Sequence, residues 1–252
     1  MNRKLAEYAF SPRAVCMGCL SLFGNEAGLV CSSCRSKLRS LYLSGKAQAL
    51  ICRDCGEVVR NGVCQGCGMR SPDTLTALSA YEYDGVIREL IHRFKYDGVF
   101  ALSHWMAEEM RSALNVTDKR SFSMIVPVPM HPLRLLTRGY NQSAKLANAL
   151  SRLLGVRSSG ALKRIKNTRS QVGLATQERR RNLKNAFRVV QPVSGEKILL
   201  LDDVRTTGST AAECARSLLA AGCASVTVLT FASAAAKEKA PFSEQSDAGN
   251  RT

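Results

Sequence analysis

Leu199-Leu200-Leu201-Asp202-Asp203-Val204-Arg205-Thr206-Thr207-Gly208-Ser209-Thr210 is the run that decides the fold. Ile198 and the three leucines form a short all-aliphatic segment, the pattern of a central parallel strand buried on both faces. Two adjacent carboxylates follow, then a loop of hydroxyl and glycine residues. From Ser209 the spacing turns helical, with Cys214, Leu218 and Leu219 on one side and Gly222 as the stop. This order gathers the backbone amides of residues 206–210 at the positive end of a helix, where hydrogen bonds and the dipole stabilise a phosphate. Asp202 and Asp203 stand just before it, placed to accept the hydroxyls of a ribose or to hold a magnesium ion that does so. The run therefore predicts a site for a phosphorylated sugar at the carboxyl end of the strand.

The same run resembles the phosphoribosyl-pyrophosphate (PRPP) motif of type I phosphoribosyltransferases, in which two acids follow an apolar strand and a Thr-Thr-Gly-x-Thr loop receives the 5-phosphate. The resemblance implies phosphate contacts from Thr206, Thr207, Gly208, Ser209 and Thr210. A strand-turn-helix connection with a solvated acidic pair is the bland alternative, and the order of all three parts argues against it. A Walker P-loop is excluded because no G-x-x-x-x-G-K-[ST] occurs. Arg205 departs from the motif, which usually has a small or apolar residue there; its cation either reaches the phosphates or points to solvent.

With 252 residues, the chain has room for one α/β core of about 150 residues and a minor domain. No apolar stretch approaches the roughly 20 residues that span a bilayer. Residues 1–10 mix charges with single apolar residues and lack a signal-peptide core, so the expected location is cytoplasmic. Residues 236–252, rich in Lys, Ser, Glu, Asp and Gly, read as a disordered tail.

Of ten cysteines, eight fall in four C-x-x-C pairs: Cys16/Cys19, Cys31/Cys34, Cys52/Cys55 and Cys64/Cys67. Each pair is the knuckle that puts two thiolates on one tetrahedral ion, and nearby glycines supply the tight turns, so two structural zinc ions are expected. Disulfides suit a cytoplasmic chain poorly, and no βαβ pattern surrounds the pairs as in a thioredoxin-type motif. The simplest arrangement joins neighbouring pairs, although spacing also permits an interleaved one. Cys214 and Cys223 read as small buried apolar residues. The expected organisation is a double zinc ribbon over 1–70, an α/β domain over 71–235 and the tail.

Beyond Arg70-Ser71-Pro72-Asp73, Val86, Ile87, Leu90, Ile91 and Phe94 recur at helical spacing, and Leu102, Met106, Met110 and Leu114 mark a second helix. His92, His104 and Trp105 on these helices are expected to be packing or surface residues. Residues 124–129 read as a buried strand, the first of the parallel sheet, closed by Pro127 and Pro129. A loop over 131–141 carries Arg134 and Arg138, and a helix from about Ser143 to Leu154 turns Leu146, Leu150 and Leu153 to the core before Gly155 stops it.

The chain resembles the ComF family of competence-associated, phosphoribosyltransferase-like proteins over nearly its whole length. The resemblance rests on the cysteine knuckles, on residues 81–96 with Phe94-Lys95-Tyr96, on Val126-Pro127-Val128-Pro129 and on Arg138-Gly139-Tyr140-Asn141-Gln142. It continues through Arg164, Thr168 and Gln171, Arg181-Asn182 and Ala186-Phe187 to the PRPP motif. It implies a type I phosphoribosyltransferase fold, a parallel sheet flanked by helices behind a zinc ribbon, and a role in handling DNA from outside the cell. It also implies that residues 131–141 form the pyrophosphate loop, with Arg138, Gly139 and Asn141 near the leaving group and magnesium accompanying PRPP.

The formal net charge is +16, and residues 157–188 hold ten basic residues against the single acid Glu178. Such a concentration favours a polyanionic partner, here single-stranded DNA, through salt-dependent, sequence-independent attraction. The candidate contacts are Lys163, Arg164, Lys166, Arg169, Arg179, Arg180, Arg181, Lys184 and Arg188. A solvated basic face, or charge that serves PRPP itself, is the alternative. If helical, residues 179–188 spread their cations around most of the helix, and Tyr140 and Phe187 are the aromatics near enough to stack bases. Three functions follow: a phosphoribosyltransferase using Asp202, Asp203 and Arg138, a PRPP- or nucleotide-binding DNA-handling protein without transfer, and an adaptor whose zinc ribbon docks a helicase or uptake component. A pure adaptor has no use for the paired carboxylates.

Overall fold

The computed structural model describes residues 14–23, 28–43, 49–114, 121–166 and 183–234. The expected tail, Arg169 and Arg179 to Arg181 lie outside them.

The segment before residue 70 builds two small cysteine-rich units. The first has strands β1 (Ala14–Val15) and β2 (Leu22–Phe23) with helix α1 (Ser32–Leu41); the second has β3 (Ala49–Cys52), β4 (Val59–Arg60) and β5 (Val63–Cys64). Then come β6 (Thr74–Glu82), α2 (Gly85–Tyr96), α3 (Leu102–Ala113), β7 (Met124–Pro127), α4 (Pro132–Arg138) and α5 (Gln142–Leu154). A hairpin of β8 (Leu162–Arg164) and β9 (Phe187–Val189) precedes β10 (Lys197–Arg205), α6 (Ser209–Ala220) and β11 (Ser225–Ser233).

The main sheet has the order β3-β6-β11-β10-β7 and is parallel except for the antiparallel edge β3. As the aliphatic run dictates, β10 lies inside it, and Ile198 to Leu201 are fully buried. Burial of each such side chain is worth about 1.5–3 kcal/mol. Leu199 and Leu201 face a core closed by α2, α3 and α5, whereas Ile198 and Leu200 face α6 and the β8/β9 hairpin. Helices on both faces thus make a three-layer α/β fold, with loops gathered at the carboxyl ends of the strands.

Three expectations need correction. The strand at 124–127 is not the first of the parallel sheet, since β6 precedes it and pairs with β11. Residues 131–141 are not simply a loop: Pro132 supplies a preset first helical turn, His131 Nδ1 accepts the Leu133 amide, and Gly139 at φ +79° ends α4. Arg188 is not helical either, because it lies on β9 after a turn at 184–185.

The boundary at 70/71 runs through shared structure. Ala49 to Cys52 pair with Thr74 to Ala77, and Cys16, Val30, Cys34 and Leu38 belong to the same core as Leu90 and Phe94. His92 lies against Tyr96, His104 against Glu108, and Trp105 meets Phe231 edge-on, as packing and surface residues do.

Candidate active site

β7 ends with Pro127 opposite Leu201 of β10, and where β10 runs on beyond it opens a cavity of about 570 Å³. Asp202 and Asp203 form its acidic wall, and Lys95, Arg134, Arg138 and Arg164 line the rest. Lys95, on the last turn of α2, places Nζ 2.8 Å from Asp203 Oδ2. Burial opposes its charge, but the Asp203 and Asp202 carboxylates outweigh that and hold its pKa above the ordinary lysine value. Asp202 is held by neutral donors: its Oδ1 accepts from Ser143 Oγ at 2.7 Å and from the Asp203 amide at 3.0 Å. Burial, with the Asp203 carboxylate beside it, pushes Asp202 up to about 7.

The opposite wall is set by the start of α5. Asn141 caps that helix by accepting the Ser143 amide at 3.0 Å, while its Nδ2 donates to the Val128 carbonyl at 3.1 Å. Its side chain therefore ties the two walls together. Arg138 donates to Gln142 Oε1 at 3.1 Å and to the Tyr96 hydroxyl at 3.2 Å, and its guanidinium sits 4.8 Å from the centre of the Tyr96 ring. Arg164 lies 5.6 Å from the centre of the Phe187 ring; burial first, then the Arg134 cation, lower its pKa.

The phosphate-type loop contributes Thr206 and Thr210 to this cavity. Thr207, Gly208 and Ser209 surround a smaller one of about 30 Å³. Gly208, at φ +81°, is the N-cap of α6. Ser209 is buried, and its hydroxyl donates to the Cys55 carbonyl at 2.9 Å. Here the second cysteine unit crosses the loop backbone to backbone: a Cβ added at Gly56 would lie 2.2 Å from the Gly208 carbonyl carbon. Arg216 of α6 fastens the contact by donating to the carbonyls of Asp54 at 2.9 Å and Arg53 at 3.3 Å while paired with Glu213.

Arg205 does not point to solvent. It is buried in the wall of the smaller cavity and donates Nη2 to Ser233 Oγ at 2.8 Å, while Nε and Nη1 meet no hydrogen-bond acceptor. Burial holds its pKa below the ordinary arginine value.

The cysteines settle into the sequential arrangement. Cys16, Cys19, Cys31 and Cys34 form one group and Cys52, Cys55, Cys64 and Cys67 the other, each with its sulfurs within 4.8 Å of one another. Tetrahedral zinc, with Zn–S bonds of about 2.3 Å, spaces its sulfurs by roughly 3.8 Å; Cys19 and Cys31 stand 3.8 Å apart, Cys55 and Cys64 3.3 Å. Amides of Gly18 and Cys31 donate to Cys16 Sγ at 3.3 and 3.2 Å, a setting suited to a thiolate. All ten cysteines are free thiols, so the groups fit metal and carry no disulfide. Cys214 and Cys223 are buried, as expected.

Residues 140–247 match the model of the phosphoribosyl transferase domain. The chain is 34% identical over 206 residues to the DNA utilization protein YhgH of Escherichia coli O6:H1, which covers 79% of this chain and 88% of the relative. It is 31% identical over 229 residues to Competence protein F of Haemophilus influenzae, with 87% of this chain and 95% of the relative covered. The chain belongs to the ComF family. Competence protein ComFC of Bacillus subtilis, also of the ComF type, is 31% identical over 212 residues, 80% of this chain and 83% of its own.

This ComF protein brings Asp202, Asp203, Arg138, Asn141, Thr206 and Thr210 to one cavity, with Gly139 in the lining of its neighbour. Two expectations change. Phe187 is buried and cannot stack a base, and Arg164 turns into the acidic cavity rather than outward. Lys163 and Arg188 are exposed and directly opposite each other on the hairpin, and Lys184 is exposed with its carbonyl taking Lys166 Nζ at 2.7 Å. Lys95 and Ser143 carried no assigned role in the sequence; the signal for Lys95 was its place on the helix ending that precedes Gly98. Among the described residues no helix is long and apolar enough to cross a membrane.

The raised Asp202 has a measurable consequence. Its contribution to stability is present in full below the ordinary value of 3.8 and lost as pH rises through about 7. Asp202→Asn is therefore expected to raise Tm by an amount that grows from pH 4 to about 7 and then levels off. A Tm difference independent of pH refutes this.

Proposed function

We propose that the protein binds PRPP with magnesium at the cavity between β10 and β7, and acts in the cytoplasm on single-stranded DNA taken up from outside. The observation that supports this best is the convergence on one cavity of a carboxylate pair, the threonines that open α6, and three arginines. In this reading Asp202 and Asp203 accept the ribose hydroxyls. The amides of residues 206–210 hold the 5-phosphate at the start of α6, with the buried Arg205 cation behind them. Arg138, aided by Arg134 and Arg164, faces pyrophosphate as it departs. The paired carboxylates are also the oxygen donors suited to magnesium, whose part would be to neutralise pyrophosphate charge.

For transfer, the bond between the anomeric carbon and the pyrophosphate oxygen breaks, a bond forms from a nucleophilic atom of the acceptor, and that atom loses its proton to solvent or to an acceptor group. The names of the relatives support DNA handling, as does the exposed Lys163/Arg188 pair. Like charges directly opposite on a hairpin destabilise it unless an anion lies across them. Eight thiols held in metal-type groups suit a reducing compartment.

Calorimetry with PRPP and magnesium tests the reading. Asp202→Asn/Asp203→Asn removes charge-assisted hydrogen bonds worth roughly 1.5–3 kcal/mol each, so affinity is expected to fall at least about tenfold. Unchanged affinity in the folded variant means the site is elsewhere. Release of pyrophosphate when DNA fragments or free bases are added separates a transferase from a binding protein.

A further inference from the structure

We infer that a second cavity, beside the first, takes an unstacked base of a single-stranded nucleic acid, with Tyr96 and Phe100 as its stacking surfaces and Arg138 and Lys145 as its phosphate contacts. This rests on the reading of the chain as a single-strand-binding protein, and gives that reading a site next to the bound ribose.

The cavity has a volume of about 580 Å³ and shares Lys95, Tyr96, Thr137 and Arg138 with the acidic one. Among the described residues no carboxylate lines it. The last residue of α2 and the turn after it bring two large aromatics to its wall, and both are unusually open: Tyr96 is 61% exposed and Phe100 47%. Each ring already carries a cation, the Arg138 guanidinium 4.8 Å from the Tyr96 centre and the Lys145 ammonium 4.9 Å from that of Phe100. Tyr140 supports Phe100 edge-on, with centroids 4.8 Å apart, and is itself fixed by its hydroxyl, which donates to the Phe94 carbonyl.

Exposed rings interleaved with cations and free of acids are what a single strand requires: every base has a face to stack, and every linkage a charge to meet. A duplex buries its base faces and gains nothing from such rings. A basic peptide would find no acid to pair with among the described residues that line it. Position adds a reason, because a base stacked here lies next to the cavity that holds Asp202 and Asp203. Arg138 would then touch both ligands and couple them.

The experiment measures binding of a short oligothymidylate and, separately, of PRPP with magnesium. Phe100→Ala is expected to weaken the oligonucleotide about tenfold, to leave PRPP affinity unchanged, and to be rescued by Phe100→Trp. A strand of abasic sugars should bind wild type and Phe100→Ala alike. Lys145→Ala should flatten the salt dependence by about one ion. Photocrosslinking of an iodouracil strand to wild-type protein is expected to label the segment 96–100, which needs no variant to fold. Equal oligonucleotide affinity in wild type and Phe100→Ala, or labels confined elsewhere, overturns the inference and leaves single-strand binding standing. Failure of wild type to bind any strand, with PRPP still bound, overturns both.

Discussion

A Gly56→Val protein is expected to lose PRPP affinity by about a hundredfold or more, although Gly56 belongs to a cysteine knuckle and touches no substrate. Its Cβ would fall 2.2 Å from the carbonyl carbon of Gly208 and 2.4 Å from the Ser209 nitrogen, both backbone atoms of the loop that opens α6 and is proposed to hold the phosphate. The clash is relieved only by lifting the knuckle or moving the loop, and the position also needs φ +84°. A displaced loop no longer aims its amides at one point, and misplacement of about 1 Å costs about a hundredfold. Gly62→Ala is the control: φ is +72°, nothing lies within 4 Å, and only backbone strain of about 1–2 kcal/mol is expected, with PRPP affinity kept. Chelation of the second metal group should mimic Gly56→Val, because Cys52 and Cys55 bracket the residues that Ser209 and Arg216 grip. PRPP binding that survives both treatments contradicts this account.

Lys95→Met should cost about 1.5–3 kcal/mol of stability, the usual worth of a hydrogen bond between charged groups, since the lysine is partly exposed and the aspartate buried. Asp203 is 7% exposed, and beside it stands Asp202, so the loss leaves two carboxylates in one pocket without their ammonium. Methionine keeps most of the volume of the lysine stem, which assigns the loss to charge rather than to a void. The double variant Lys95→Met/Asp203→Asn is expected to recover most of the stability and none of the PRPP affinity. Denaturant unfolding of the four proteins in the cycle decides: purely additive effects rule out the coupling.

How much of this was legible depended on where the side chains put their polarity. β10 could be read because its first four buried residues, Ile198 to Leu201, are all aliphatic and its acids come only after them. β6 could not, since Thr76 and Ser79 interrupt it; Ser79 is buried nonetheless because its hydroxyl pairs with that of Thr230 at 2.7 Å, and a buried hydroxyl satisfied across the sheet looks like a loop residue in one dimension. α4 has seven residues and buries none of them, so no apolar period marks it. The acids were visible, yet the cation that holds Asp203 comes from a helix of the other half of the fold, and only topology brings it there. The inward turn of Arg164 was hidden for a related reason: composition counts its charge with its neighbours, whereas strand alternation turns it toward the cavity and leaves Lys163 outward.

The outer rim of β6 is covered by the cysteine-rich segment along most of its length. Residues 49–52 pair with its first half, and Tyr42 and Leu43 meet Tyr81 and Ala80 farther on, with the Leu43 amide donating to the Ala80 carbonyl at 2.9 Å. Cys52, a member of the second metal group, is the last residue of that covering strand. The metal groups are therefore also a guard against self-association. If they let go, a long strand edge stands bare and ready to template pairing with another copy. A chain whose cysteine groups stand empty is then expected to aggregate, whereas one in which they hold an ion keeps that edge covered.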